Sequence, residues 1–180
     1  MLPLLHLAQE QDGYLSEAGI EEVAQLTGTT PADVRGTAAF YDMYHLEPVG
    51  KYVVGVCTNI ACLLAGGLEL LSHASSTLGC AVGETSDDGL FTLEETECLA
   101  DCDFAPCVQI NHRFVRTTTP ETFDALVSDL REGKRENEIP THGTLVRVRR
   151  AGGLRTQKTE VNTERVDAKA ARDQRAGEKA

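Results

Sequence analysis

Six cysteines, Cys57, Cys62, Cys80, Cys98, Cys102 and Cys107, fall within 51 consecutive positions of a 180-residue chain, and neither end has any. The first residues, Met1-Leu2-Pro3-Leu4-Leu5-His6, lack the basic start and long apolar stretch of a secretory signal. That predicts a cytoplasmic protein, where thiols stay reduced and structural disulfides are disfavoured. Clustered, reduced cysteines point instead to a metal or to redox chemistry. The spacing is Cys57-x4-Cys62, then 35 residues, then Cys98-x3-Cys102. Each pair is close enough for one loop to present two sulfurs to one centre. Four thiolates are the ligand count of a [2Fe–2S] cluster or of a structural zinc.

Spacing favours the cluster. Structural zinc sites use C-x2-C knuckles that bring both sulfurs to one tetrahedral ion. Spacers of four and three residues suit a wider two-iron centre, and plant-type ferredoxins contain a C-x4-C element. No C-x-x-C dithiol is present, so disulfide exchange of the thioredoxin type lacks its motif. Cys102-x4-Cys107 repeats the first spacing and leaves a second register (57, 62, 102, 107) open. Pro106 and Val108-Gln109-Ile110 instead place Cys107 at a strand start as a small buried residue, and Cys80 reads the same way. His6, His45, His73, His112 and His142 show no ligand spacing and read as surface or turn residues. No Walker loop, G-x-G-x-x-G or nucleophile elbow occurs, which argues against a nucleotide site on this chain.

The elements that must hold these loops are legible on either side of them. Residues 2–47 read as helical. Asp12-Gly13 ends the first helix, Ser16 caps the second and Gly28 stops it. Thr30-Pro31-Ala32-Asp33 starts a third, whose buried face should carry Val34, Ala38, Tyr41 and Tyr44. Tyr52–Val56 is a β-branched run ending at Cys57, and residues 63–71 read as one helix weakened by two glycines. Strands are expected at 90–93, 107–110 and 114–116, the last two joined by an Asn111-His112 turn. Thr119-Pro120-Glu121 caps a final helix bearing Phe123, Leu126, Val127 and Leu130. The order β-α-β-β-α predicts a small α/β sandwich of the thioredoxin-like kind. The division is a helical region at 1–48, a cluster domain at 49–133 and a charged, mostly disordered tail at 134–180, with transient helix near 166–171.

Charge excludes further classes. Residues 1–131 carry 20 acidic against 5 basic side chains, a net −15, whereas residues 132–180 carry 12 basic against 8 acidic. A body this acidic repels phosphate backbones, so nucleic acid is not an expected partner. The helix pair around Gly28 has helix-turn-helix spacing, but its second helix offers Asp33, Arg35 and Asp42 rather than base-reading side chains. No run of 18 apolar residues exists, so no membrane-inserted helix is expected.

Val56-Cys57-Thr58-Asn59-Ile60-Ala61-Cys62, together with Glu97-Cys98-Leu99-Ala100-Asp101-Cys102-Asp103-Phe104-Ala105-Pro106, resembles the 24 kDa [2Fe–2S] subunit family of NADH:quinone oxidoreductase, the respiratory complex I. The likeness extends through Gly13-Tyr14-Leu15-Ser16, Ala39-Phe40-Tyr41 and Thr118-Thr119-Pro120-Glu121, covering roughly residues 2–131. It implies an N-terminal helical bundle followed by a thioredoxin-like domain, with one [2Fe–2S] cluster on Cys57, Cys62, Cys98 and Cys102. It also implies a one-electron carrier without a substrate site of its own. FMN and NADH then sit on a larger partner subunit, beside other peripheral-arm subunits at the inner face of the cell membrane. Relatives carry a further N-terminal segment, which a misplaced start codon would explain. Ala100 stands where the family often has glycine, which should tighten the second loop.

Backbone N–H groups around residues 58–62 and 99–104 are expected to tune the cluster, and Asp101 and Asp103 to lower its potential. Two rivals keep the same residues. One is the corresponding diaphorase subunit of an NAD-linked hydrogenase or formate dehydrogenase. The other is a zinc-stabilised binding module.

Overall fold

Short-range signals account for the N-terminal helices. In the computed structural model, α1 (Leu2–Asp12) ends where Gly13 turns left-handed, with φ 80°. α2 (Glu17–Thr27) starts at Ser16, whose hydroxyl accepts from the Gly19 N–H, and ends at Gly28, φ 67°. α3 (Pro31–Phe40) opens with a reciprocal capping box between Thr30 and Asp33. Leu5, Leu15, Ile20, Val23, Val34 and Tyr44 bury one core between these helices. Helix α3 stops at Phe40, so Tyr44 reaches that core from the following turn rather than from the helix. The described residues are 1–116, 119–140 and 142. The tail expected from residue 134 begins later than that: Ile139 is buried in a hydrophobic core, the Pro140 carbonyl accepts from the Asn111 side chain and the His142 N–H donates to the Lys51 carbonyl. The rest of it, with its transient helix near 166–171, lies outside the described residues.

A second core is built on a four-stranded mixed sheet of order β2-β1-β3-β4. These are β1 (Tyr52–Cys57), β2 (Phe91–Thr96), β3 (Val108–Ile110) and β4 (Arg113–Val115). β1 is buried along its whole length, as a central strand must be. It pairs in parallel with β2, from Tyr52 opposite Phe91 to Cys57 opposite Thr96, and antiparallel with β3. The β3–β4 hairpin turns at Asn111 and His112, with φ 48° and 60°, the twist that two-residue hairpins require. α6 (Pro120–Arg131), capped by Thr119, packs Phe123, Leu126, Val127 and Leu130 into the sheet core.

The helix expected at 63–71 is instead two. α4 (Ile60–Leu64) and α5 (Gly67–Leu78) are separated by Gly66 at φ 93°. A continuous helix would carry the chain away from the sheet. The break lets Gly67 settle against the carbonyls of Cys57 and Cys62, where an added Cβ would lie 2.7 and 2.8 Å from the two oxygens. α5 then packs Leu70, Leu71, Ala74 and Leu78 into the sheet core. Strand β2 also runs on to Thr96, beyond the expected 90–93, because parallel pairing with β1 continues to the end of both strands.

Candidate metal centre

The sheet topology delivers the cysteines to one place. β1 and β2 run in parallel, so Cys57 at the end of β1 and Cys98 just beyond β2 emerge at the same edge. β3 runs the opposite way and starts at that edge, with Val108 opposite Val56. The loop from Glu97 to Cys107 therefore leaves and re-enters the sheet at one end. Cys62 returns there on α4. Cys57, Cys62, Cys98 and Cys102 line one cavity of about 370 Å³, together with Asn59, Ile60, Ala61 and Leu64.

The four sulfurs differ in burial. Cys57 and Cys62 are buried, whereas Cys98 and Cys102 are exposed. The cavity thus has an inner wall fixed by regular structure and an outer wall carried on an irregular loop. Side chains tie the two together: Thr58 donates to Glu95 at 2.6 Å and Asn59 to Glu97 at 3.1 Å. Thr58, Asn59 and Glu97 lie within the segments that carry the resemblance, but nothing in those segments pairs them across the two loops. What selects them is the register of β2 on β1, which no local pattern specifies.

Cys107 belongs to the wall behind the cavity. It is buried beside Cys57 and Cys62, its thiol donates to the Asp101 carbonyl at 3.0 Å, and its N–H reaches the Cys62 sulfur at 3.4 Å. Burial first, then the Cys62 sulfur, pushes its pKa up to about 12, so it stays a neutral thiol. The sulfur that the second register (57, 62, 102, 107) would use is thus turned to a carbonyl and does not line the cavity. Cys80 is buried in the sheet core, apart from the cavity. His45 and His142, expected as surface or turn residues, are half-buried and meet ring to ring at 4.7 Å, His142 lying in a turn.

Some of the backbone donors near the cavity already have partners. The N–H groups of Thr58, Ile60 and Phe104 go to Thr96 O, the Asn59 side chain and Asp101 O. The donor that reaches a sulfur of the set is Cys107. Asp101 is likewise not a free charge, because its carboxylate pairs with Arg116.

The chemistry of the donor set suits a soft, cationic group. Burial raises the Cys62 thiol above its usual range. Desolvation first, then the Cys98, Cys62 and Cys57 sulfurs, raises Cys102. With the Cys62 and Cys102 thiols raised in this way, binding of a metal there must release their protons. Among the described residues, no three His, Cys, Asp or Glu side chains converge as a single ion would need.

Comparison with known proteins decides the family. A profile of the thioredoxin-like [2Fe–2S] ferredoxins matches residues 1–131. The chain belongs to the thioredoxin-like [2Fe–2S] ferredoxin family. The cofactor of that family is a [2Fe–2S] cluster, and the mixed sheet with flanking helices is its fold. Among curated relatives, the chain is 42% identical over 144 residues to NADH-quinone oxidoreductase subunit 2 of Thermus thermophilus, covering 79% of this chain and 80% of the relative. It is 43% identical over 143 residues to an NADH-quinone oxidoreductase subunit of Mycobacterium tuberculosis, covering 79% and 56%. With the mitochondrial NADH dehydrogenase [ubiquinone] flavoprotein 2 of Dictyostelium discoideum it shares 37% over 135 residues, covering 74% and 55%. The chain thus spans little more than half the length of the last two. A crystal structure of an NAD+-reducing [NiFe]-hydrogenase in its H2-reduced state superposes with a TM-score of 0.64 at 22% identity, covering 76% of this ferredoxin and 23% of that chain. That likeness is one of fold. The relatives are subunits of oxidoreductase complexes, and among the described residues no helix is long and apolar enough to cross a membrane.

Proposed function

We propose that this ferredoxin is a one-electron carrier subunit of an NADH:quinone oxidoreductase, with Cys57, Cys62, Cys98 and Cys102 as the ligands of its [2Fe–2S] cluster. The observation that carries the reading is the convergence of those four cysteines, from two loops 35 residues apart, on one cavity. The cluster supplies one-electron chemistry between two oxidation states. The chain's own residues hold it, shield its inner side and expose its outer one. Cys57 and Cys62 sit against packed backbone, and Cys98 and Cys102 open to the surface, so a redox partner approaches from the side of the second loop.

The surface there suits a protein partner. Ile60 and Leu64 line the cavity and are exposed, as are Leu63, Leu68 and Phe104 on the segments that follow Cys62 and Cys102; exposed apolar residues grouped at a site mark contacts. Glu69 and Asp103, on the same segments, are exposed too, as are Glu95 and Glu97 just before Cys98. An acidic rim on a body of net −15 steers toward a basic surface. The partner in this reading is the flavin- and NADH-binding subunit, with the complex at the inner face of the cell membrane and no inserted segment from the described residues. The names of the curated relatives favour this assignment over a hydrogenase or formate dehydrogenase diaphorase.

The test is metal analysis and low-temperature EPR on the anaerobically purified chain, before and after dithionite. About two irons per chain and a reduced S = ½ signal near one spin are expected. Stoichiometric zinc that persists through reconstitution with iron and sulfide would overturn the carrier reading and leave the zinc-stabilised module. Purification of the tagged chain from its own cells separates the two carrier readings, by whether NADH:quinone reductase or hydrogenase or formate dehydrogenase activity travels with it.

A further inference from the structure

The outer wall of the cavity needs a restraint that its own backbone does not supply. Between Cys98 and Cys107 the chain makes only a 3-10 turn at Cys102–Phe104. Inside that stretch Ala100 holds φ 59°, a conformation that non-glycine residues resist. Cys102 itself is exposed. A loop of this length, anchored at its ends by β2 and β3, would open outward unless something held its middle.

Arg116 is placed to do so. It follows the end of β4, and because Val115 lies opposite Val108 it emerges at the sheet edge where Cys57, Cys98 and Cys107 gather. Its guanidinium pairs with the Asp101 carboxylate and lies 3.5 Å from the centre of the Phe104 ring. One side chain thus grips the residue just before Cys102 and the residue two after it. Asp101 is held from behind as well, since its carbonyl accepts from the Cys107 thiol and the Phe104 N–H. The loop is pinned from the buried side by Cys107 and from the solvent side by Arg116. Arg116 is one of five basic residues in the first 131.

We propose that Arg116 is a positioning residue for the metal centre: it clamps the Cys98–Cys107 loop closed over Asp101 and Phe104, holding Cys102 in the cavity wall. This rests on the proposed ligand set. Two consequences separate the clamp from general packing. A clamp on the outer wall slows release of the group through that wall. Its charge also offsets Asp101 beside a centre that gains an electron on reduction, which favours the reduced state. A guanidinium can stack on a ring and pair with a carboxylate at once, whereas an ammonium pairs as a point charge. Lysine at this position should therefore restore the charge effect and not the closure.

The experiment compares the full-length chain with Arg116→Gln, Arg116→Lys, Asp101→Asn and Phe104→Leu. Three readouts are used: cluster release to a strong iron chelator, the midpoint by EPR-monitored titration, and labelling of the metal-free chain at Cys102 by a thiol-specific disulfide reagent. Expected for Arg116→Gln is about tenfold faster release and labelling. Its reduced-to-oxidised ratio at the wild-type midpoint should fall about fivefold, equivalent to about 40 mV at 59 mV per decade for one electron. Arg116→Lys should recover the midpoint while still releasing quickly. Phe104→Leu should accelerate release with the midpoint unchanged. If Arg116→Gln does not fold, as circular dichroism would show, the Asp101 and Phe104 variants carry the same decision. Release and labelling at wild-type rates in the folded variants would overturn the clamp. A wild-type chain that takes up no iron would overturn the ligand assignment instead, and labelling of the metal-free chain would still report on the loop.

Discussion

Gly67→Ala adds one methyl group at the junction of the two inner ligand candidates. Its Cβ would stand 2.7 Å from Cys57 O, 2.8 Å from Cys62 O and 3.0 Å from Cys62 C. Relief to an ordinary contact near 3.4 Å requires a displacement of about 0.7 Å. All three atoms are backbone, so no side-chain rotation provides it. Overpacking of this kind costs roughly 1–3 kcal/mol, and a backbone clash belongs at the upper end. Gly67 opens helix α5, where helix propensity alone would favour alanine by up to about 1 kcal/mol. The steric effect is larger, and the net expectation is a loss of about 2 kcal/mol, or a melting temperature lower by roughly 5–10 °C. Because the displaced carbonyls belong to Cys57 and Cys62, cluster content should fall along with stability. Gly36→Ala is the matched control. Gly36 lies inside α3 with nothing within 4 Å of its added Cβ, so it should gain about 1 kcal/mol from propensity alone. Thermal and urea unfolding of both variants, with iron per chain, decides it. A Gly67→Ala chain that melts at or above the wild type with undiminished iron would refute the close-approach argument.

Ala100→Gly removes the cost of a side chain at φ 59° and should stabilise by about 1 kcal/mol, read as a higher urea midpoint; an unchanged or lower midpoint would show that Ala100 is not strained. Cys98→Ser should weaken or abolish the visible absorption and EPR signal, whereas Cys80→Ala, buried in the sheet core apart from the cavity, should leave both intact. Acid should destabilise the fold through the paired imidazoles. Burial first, then the charges of His45 and His112, depresses His142 from 6.5 to about 4, and burial first also lowers His45. Stability from such groups is present above the unfolded pKa near 6.5 and is lost as pH falls from there toward 4. Glu94, raised by burial, works in the opposite direction. After discount for partial exposure, about 1 kcal/mol should be gone by pH 5, and His142→Gln should flatten the urea midpoint between pH 7.5 and 5.

The features legible in the sequence were those written in neighbouring residues. Ser16 and Gly28 bracket α2, Thr30-Pro31-Asp33 opens α3, Thr119-Pro120 opens α6, and Asn111-His112 turns the hairpin. Each acts over two to four positions, and each needs only its own side chain and the adjacent backbone. The break between α4 and α5 was not legible, because two glycines in an apolar run describe a weakened helix as readily as two helices. What decides between them is the approach of Gly67 to Cys57 and Cys62, a contact made only after folding. The same holds around the cavity. The four cysteines declare themselves by type and spacing. Glu95, Glu97 and Arg116 do not, because their positions depend on how β2 and β4 register against their neighbours. The pairing of Asp101 with Arg116 spans 15 residues, and of the two acids flanking Cys102 it leaves only Asp103 outside the ion pairs of the described residues.

The asymmetry between the two cysteine pairs follows from that topology. A parallel β1–β2 pair puts two strand ends at one edge, but only β1 is central and fully buried. The pair it delivers, Cys57 and Cys62, is fixed by main-chain hydrogen bonds: Cys57 N–H to Cys107 O at 3.0 Å, and Ala65 N–H to Cys62 O at 3.1 Å. The pair beyond edge strand β2 sits in a loop whose main-chain frame is one 3-10 turn, with Ala105 N–H to Cys102 O at 3.2 Å. Beyond that turn and the Cys107 thiol behind it, its loop is tied to the rest of the fold by side chains, through Thr58 to Glu95, Asn59 to Glu97 and Arg116 to Asp101, and all six of these residues are at least partly exposed. Exposed polar contacts are individually weak, on the order of 1 kcal/mol or less. A centre bound half to core and half to such contacts loosens first on its outer side, the side an electron-transfer partner must also reach. Under the proposed carrier reading, a docked partner that covers Cys98 and Cys102 would stabilise the holo form while completing the electron path, and retention of the cluster would then be coupled to assembly.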